Sequence, residues 1–250
     1  MNILENGLRS ADPSKGRIRK PECMDTQTAL LQLASPGLPI GGYSYSQGLE
    51  AAVACGLVCD EATARAWIQE QLLHVVAHCE APAWILLFDA WSQADYGRAS
   101  HWNAWFHASR ETRELRRETE QMGWSLASLA NELSWGTPAL RTALGSLPVI
   151  TLPAAHACCA CALALDRHCA LAAYLFTWVE NQVMAAIKTI PLGQLAGQRI
   201  LNDVRRRIGA ACDEAEHRAA ATPPRLDTFA PQLAILSARH ETQYSRLFRS

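Results

Sequence analysis

The chain has 250 residues, 49% of them apolar, enough to bury one large core. Its 23 basic and 24 acidic residues nearly cancel, which argues against nucleic acid or an anionic membrane as the main partner. No apolar run reaches the roughly 20 residues that span a bilayer, and the polar first 25 residues carry no secretory block, so a cytoplasmic protein is expected.

Residues 1–25 show no apolar period and read as a flexible tail. From Thr26, Ala29, Leu30, Leu33 and Ala34 form one helical face, which stops before Pro36. Pro36 to Tyr43 holds two prolines and three glycines, the composition of a structured loop. A short helix through Leu49 and Val53 follows and ends near Gly56. Asp60 then caps a helix with clear 3–4 spacing (Ala64, Trp67, Ile68, Leu72), and Pro82 is expected to break or kink it. Segments 98–109, 112–135 and 154–188 keep the helical period, and Pro191 opens a further helix to about residue 221, ended by Pro223 and Pro224. The stretch 148–153 is the one β-like run, and prolines bracket it. The expected fold is all-α, a single-domain helical bundle of about eight to ten helices. It would occupy residues 26–222, with residues 223–250 forming a C-terminal helix and a partner-binding tail.

Four separated stretches carry a family pattern. Residues 30–50 hold a Pro/Gly loop followed by S-x-G-L-E, and residues 114–123 read E-L-R-x-E-x-x-x-M-G. Residues 188–199 read K-x-x-P-L-G-Q-x-x-G-Q-R, and residues 240–250 read H-E-x-x-x-S-R-L-F-x-S. Together, in order over residues 26–250, they resemble the UreF family of urease maturation factors. The resemblance implies an all-α, non-enzymatic, dimeric accessory protein. Such a protein binds a UreD/UreH-like partner, and the pair recruits a UreG-like, nickel-carrying GTPase to apo-urease. It also implies that nickel travels with the assembled complex, with no cofactor and no tight nickel site in this chain. Regulation of the GTPase is the alternative role, for which Gln194, Gln198 or Arg199 would be the candidate groups.

The remaining features divide between packing and contact. His74 and His78 lie one helical turn apart, yet no third ligand is fixed by spacing, so core or surface histidines are favoured over a metal site. Nine cysteines, an odd number, argue against a disulfide framework, and Cys158, Cys159 and Cys161 among alanines read as small-residue packing. Gly193 and Gly197 on a helix read as a place where another helix approaches closely. The run 110–120 alternates in sign, which suggests Arg–Glu pairs along one helix on a solvated face or a polar interface. Tyr43, Tyr45 and Glu50 beside the rigid loop are candidate partner contacts, as is Lys188 at a helix end. Tyr244, Arg246, Leu247 and Phe248 carry interface residue types on a tail expected to become ordered on binding a partner.

Overall fold

The computed structural model describes residues 21–250 except Thr228. Among these residues there are twelve α-helices and no strand. The first, α1 (Pro21–Leu33), begins five residues ahead of the expected Thr26, and the rest of the proposed tail lies outside the described residues. The Pro/Gly loop contains a 3-10 turn, Gly42–Ser44, and leads into the short α2 (Leu49–Ala54).

Local chemistry sets most of the helix starts. Asp60 caps α3 (Glu61–His74) through a reciprocal box: its carboxylate accepts the Thr63 amide at 2.8 Å, and the Thr63 hydroxyl accepts the Asp60 amide at 3.0 Å. The expected break comes before Pro82. A 3-10 turn, Val76–His78, extends α3, the chain then bends by 41° at Cys79, and Pro82 sits in the first turn of α4 (Glu80–Ser92), where its missing N–H leaves no bond unmade. Asp95 caps α5 (Tyr96–Ala108), and Thr112 caps α6 (Arg113–Glu132). Thr137 followed by Pro138 starts α7 (Pro138–Gly145), a helix the periodicity missed. The single helix expected over 154–188 is two, α8 (Leu152–Ala162) and α9 (Arg167–Thr189). Between them Ala164 takes a positive φ of 52° and Asp166 caps α9. Likewise the helix after Pro191 divides into α10 (Gln194–Val204) and α11 (Ile208–Ala220) at Arg205–Arg207, and α12 spans Pro231–His240.

Buried on nearly every side, α4 and α8 form the centre. The Ala and Cys side chains of α8 let α4 and α6 approach closely, and α9 lies against α2, α3, α10 and α11. Two indole N–H groups tie α4 to α8. Trp84 Nε1 donates to His156 Nδ1, and Trp91 Nε1 donates to the Ala154 carbonyl, both at 3.1 Å. The β-like run 148–153 forms no strand. Asn103 supports it, donating to the Val149 carbonyl at 2.7 Å and accepting from the Thr151 amide at 3.0 Å. Gly123 lets α6 press on this run, since a Cβ there would collide with the Ile150 carbonyl. No single helix among the described residues is long and apolar enough to cross a membrane.

Candidate partner-binding site

Glu50 stands in the first turn of α2, where a carboxylate is favoured by the helix dipole. Only 6% exposed, it serves as a receptor for the C-terminal segment. Its Oε1 accepts the Leu247 amide at 2.7 Å, and its Oε2 accepts the Phe248 amide at 3.0 Å. Fully buried His240, the last residue of α12, lies with Nε2 3.0 Å from Glu50 Oε2 and Nδ1 2.7 Å from Glu114 Oε2 on α6. A carboxylate thus stands against each ring nitrogen of the imidazole. Arg246 Nη1 completes the cluster, 2.8 Å from Glu114 Oε1. Glu50 and Glu114 thus gather the His240 ring, the Arg246 guanidinium and two backbone amides, the hydrogen-bonding partners that make burial of carboxylates tolerable.

The end of the segment is pinned by a second network. The Ser46 amide and hydroxyl both donate to the Ser250 carbonyl, at 2.8 and 2.5 Å. Ser250 Oγ donates to Glu118 Oε2 at 2.7 Å, Gln47 Nε2 to Glu118 Oε1 at 2.5 Å, and Trp178 Nε1 to Gln47 Oε1 at 2.6 Å. Burial pushes the Glu118 carboxyl up to about 7, against the pull of the Gln47 and Ser250 hydrogen bonds. The C-terminal segment is therefore already folded onto α2, α6 and α9, which corrects the expectation that it orders only on binding. This mostly polar segment gains enough partners because α2 and α6 supply buried carboxylates for its amides, the His240 ring and the Arg246 guanidinium.

The candidate contact residues consequently divide. Tyr45, Glu50 and Phe248 are buried within the chain, beneath the surface rather than on it. Exposed are Tyr43 at 66%, Leu247 at 70% and Tyr244 completely. Lys188, at the end of α9, sets its Nζ 5.7 Å from the Tyr43 ring and 5.5 Å from the Phe248 ring. The loop, the α9 end and the tail thus form one surface, which the three separate sequence stretches did not reveal individually. Gln194, Gln198 and Arg199 stand exposed on α10. Arg199 is held by a two-pronged pair with Glu61, at 2.9 and 2.6 Å. Gly197 packs as expected, a Cβ there colliding with Ile187, whereas Gly193 faces open space.

Glu114 and Glu118 were missed, and the Arg–Glu pairs expected along α6 are not formed. Both glutamates turn inward, while Arg113 and Arg117 remain exposed. A signal existed: Leu115, Glu118, Met122 and Leu126 share one 3–4 spaced face, and a carboxylate on an apolar face calls for a buried partner. As for the metal candidates, His74 and His78 meet edge to face with centroids 5.9 Å apart. Each has its own carboxylate, Glu70 at 3.4 Å and Glu214 at 3.8 Å. Cys158 and Cys159 are core residues, and burial holds the Cys159 and Cys161 thiols up at about 12. No three His, Cys, Asp or Glu side chains among the described residues converge as a metal site would require.

The UreF family model matches residues 58–205, the greater part of the core helices just described. The chain belongs to the UreF family. It is 63% identical over 220 residues to the urease accessory protein UreF of Bordetella parapertussis, covering 88% of this chain and all of that one. A UreF from Cupriavidus taiwanensis is 58% identical over 222 residues, 89% of this chain and 96% of the relative. A bifunctional urease accessory protein UreEF from Bordetella bronchiseptica is 64% identical over 222 residues, and this UreF-family chain spans about half of its length (51%). Membership places the chain among urease accessory proteins, with a role in urease maturation.

Proposed function

We propose that this UreF-family chain is a non-enzymatic, cytoplasmic scaffold for nickel insertion into urease. It pairs with a UreD/UreH-like protein, as a homodimer, and the complex recruits the UreG-like GTPase to apo-urease. Nickel is cargo of that assembly, and the chain has no resident cofactor.

The observation that carries this reading is the joined surface of Tyr43, Lys188 and the C-terminal segment, from which Tyr244 and Leu247 project into solvent. Exposed aromatic and aliphatic side chains on a rigid support lose little entropy when a partner covers them. The buried glutamates supply that rigidity, so Glu50 supports contact by holding the segment. GTPase regulation through Arg199 is the weaker reading, because a guanidinium acting on a bound nucleotide would first have to leave Glu61.

The test is urease activity in cells that express urease and the other accessory proteins but lack their own UreF-family protein. The wild-type chain should restore activity. Folded chain that leaves urease inactive would refute the proposal.

A further inference from the structure

Two grooves meet across α6. One, of about 960 Å³, runs between α6 and the C-terminal segment and is lined by Arg113, Arg117, Arg246 and Arg249 with Leu247. The other, of about 660 Å³, runs between α6, α7 and α8 over Ala127, Leu144, Val149 and Ile150, with Cys158 and Cys159 at its floor. Trp124 and Glu120 line both, so the two form one trough with a cationic half and an apolar half. Trp124 is 62% exposed at the junction.

The charges in the cationic half are unevenly satisfied. Each carboxylate there is engaged: Glu114 with His240 and Arg246, Glu120 with His107 at 2.6 Å, and Glu241 with the Arg113 amide at 2.9 Å. Among the described residues, Arg113, Arg117 and Arg249 form no ion pair. Arg113 and Arg117 on α6, with Arg249 across the groove, outnumber the one carboxylate there that has no cation, Glu241, and call for carboxylates from outside. The neighbouring half offers aliphatic and aromatic surface, and its single arginine, Arg141, is occupied by the Trp135 and Gly136 carbonyls. A nucleic acid would need a cationic track along its whole length, and here the cations stop at Trp124.

We infer that this trough is a docking surface for a segment of a protein partner that is acidic at one end and apolar at the other. The acidic end lies along Arg113 and Arg117, an apolar or aromatic side chain covers Trp124, and aliphatic side chains fill the groove over α8. The inference deepens the partner-binding reading above and rests on it.

The test uses a fluorescein-labelled synthetic peptide with a glutamate-rich half and a leucine-rich half, titrated with the purified full chain in the absence of any other accessory protein. Controls are the same peptide with lysine in place of glutamate, and a single-stranded RNA. The acidic peptide should bind in a salt-sensitive way. Arg113→Glu with Arg117→Glu, and separately both to Gln, should weaken it by about tenfold or more. Trp124→Ala should weaken it severalfold, and all variants should keep the wild-type circular dichroism. Failure of the wild type to bind, equal binding by the glutamine pair, equal binding of the lysine peptide, or tighter binding of RNA each overturns the inference. Because urease activation by the wild-type chain is read in cells, failure here leaves the maturation role standing, and failure there is separately visible.

Discussion

Glu50 and His240 are 190 residues apart in sequence and 3.0 Å apart in the fold. Their contact closes the C-terminal segment over the entrance to α2, and it makes Glu50 a structural residue. Replacing Glu50 with alanine leaves two backbone amides and one ring nitrogen of buried His240 unpaired. The expected loss is about 3–5 kcal/mol of unfolding free energy, measured by urea denaturation. An unchanged midpoint would show that the segment is held by other means.

Deleting Ser237–Ser250 removes more. Phe248 is buried, and its burial alone contributes about 1.5–3 kcal/mol. Glu50, Glu114 and Glu118 would also lose their partners. The truncated chain should melt well below the full chain, and its failure to capture a partner would then follow from lost structure. A melting temperature equal to the full chain's would contradict the folded-tail account. The milder Tyr244→Ala with Leu247→Ala, both exposed, should leave melting unchanged while weakening capture.

Lys188 differs from Glu50 in being exposed. Its contacts with the Tyr43 and Phe248 rings contribute about 0.5–1 kcal/mol. Lys188→Ala should therefore shift the melting temperature only slightly while lowering urease activation in cells. Full activation by a stable Lys188→Ala chain would remove this residue from the contact surface.

Glu118 sets a pH signature. Its folded pKa is about 7 against the usual 4.5, so above pH 4.5 the unfolded chain gives up a proton that the folded chain keeps. Stability from this group falls as pH rises from 4.5 to about 7. His156 acts oppositely: burial depresses its pKa from 6.5 to about 3, so stability from it is lost as pH falls through that range. The two partly cancel, and a wild-type pH profile alone hides both. Glu118→Gln isolates the carboxyl. Relative to wild type, the variant should gain stability between pH 4.5 and about 7, on the order of a few kcal/mol. A difference that does not change with pH would contradict the buried-carboxyl reading.

The helical bundle was legible because helix starts are local chemistry: Asp60, Thr112 and Pro231 each announce a first turn. The break between α8 and α9 was not. Leu163, Ala164 and Leu165 continue an apolar run without Gly or Pro, and the turn depends on Ala164 adopting a conformation its side chain disfavours. The candidate site was half legible. Tyr43, Lys188 and the tail could be named from their motifs, but their meeting depends on tertiary pairing. The sequence places Glu114 and Glu118 in Arg–Glu pairs on a solvated face or a polar interface, because their partners His240, Arg246 and Ser250 lie more than a hundred residues away.

The most direct measurement of the central claim is co-purification of the tagged full chain with the UreD/UreH-like protein and the UreG-like GTPase, presented singly and together. The account predicts capture of the UreD/UreH-like protein alone, and capture of the GTPase when that protein is present. Folded chain that retains neither partner, or that retains the GTPase equally well without the UreD/UreH-like protein, would contradict it.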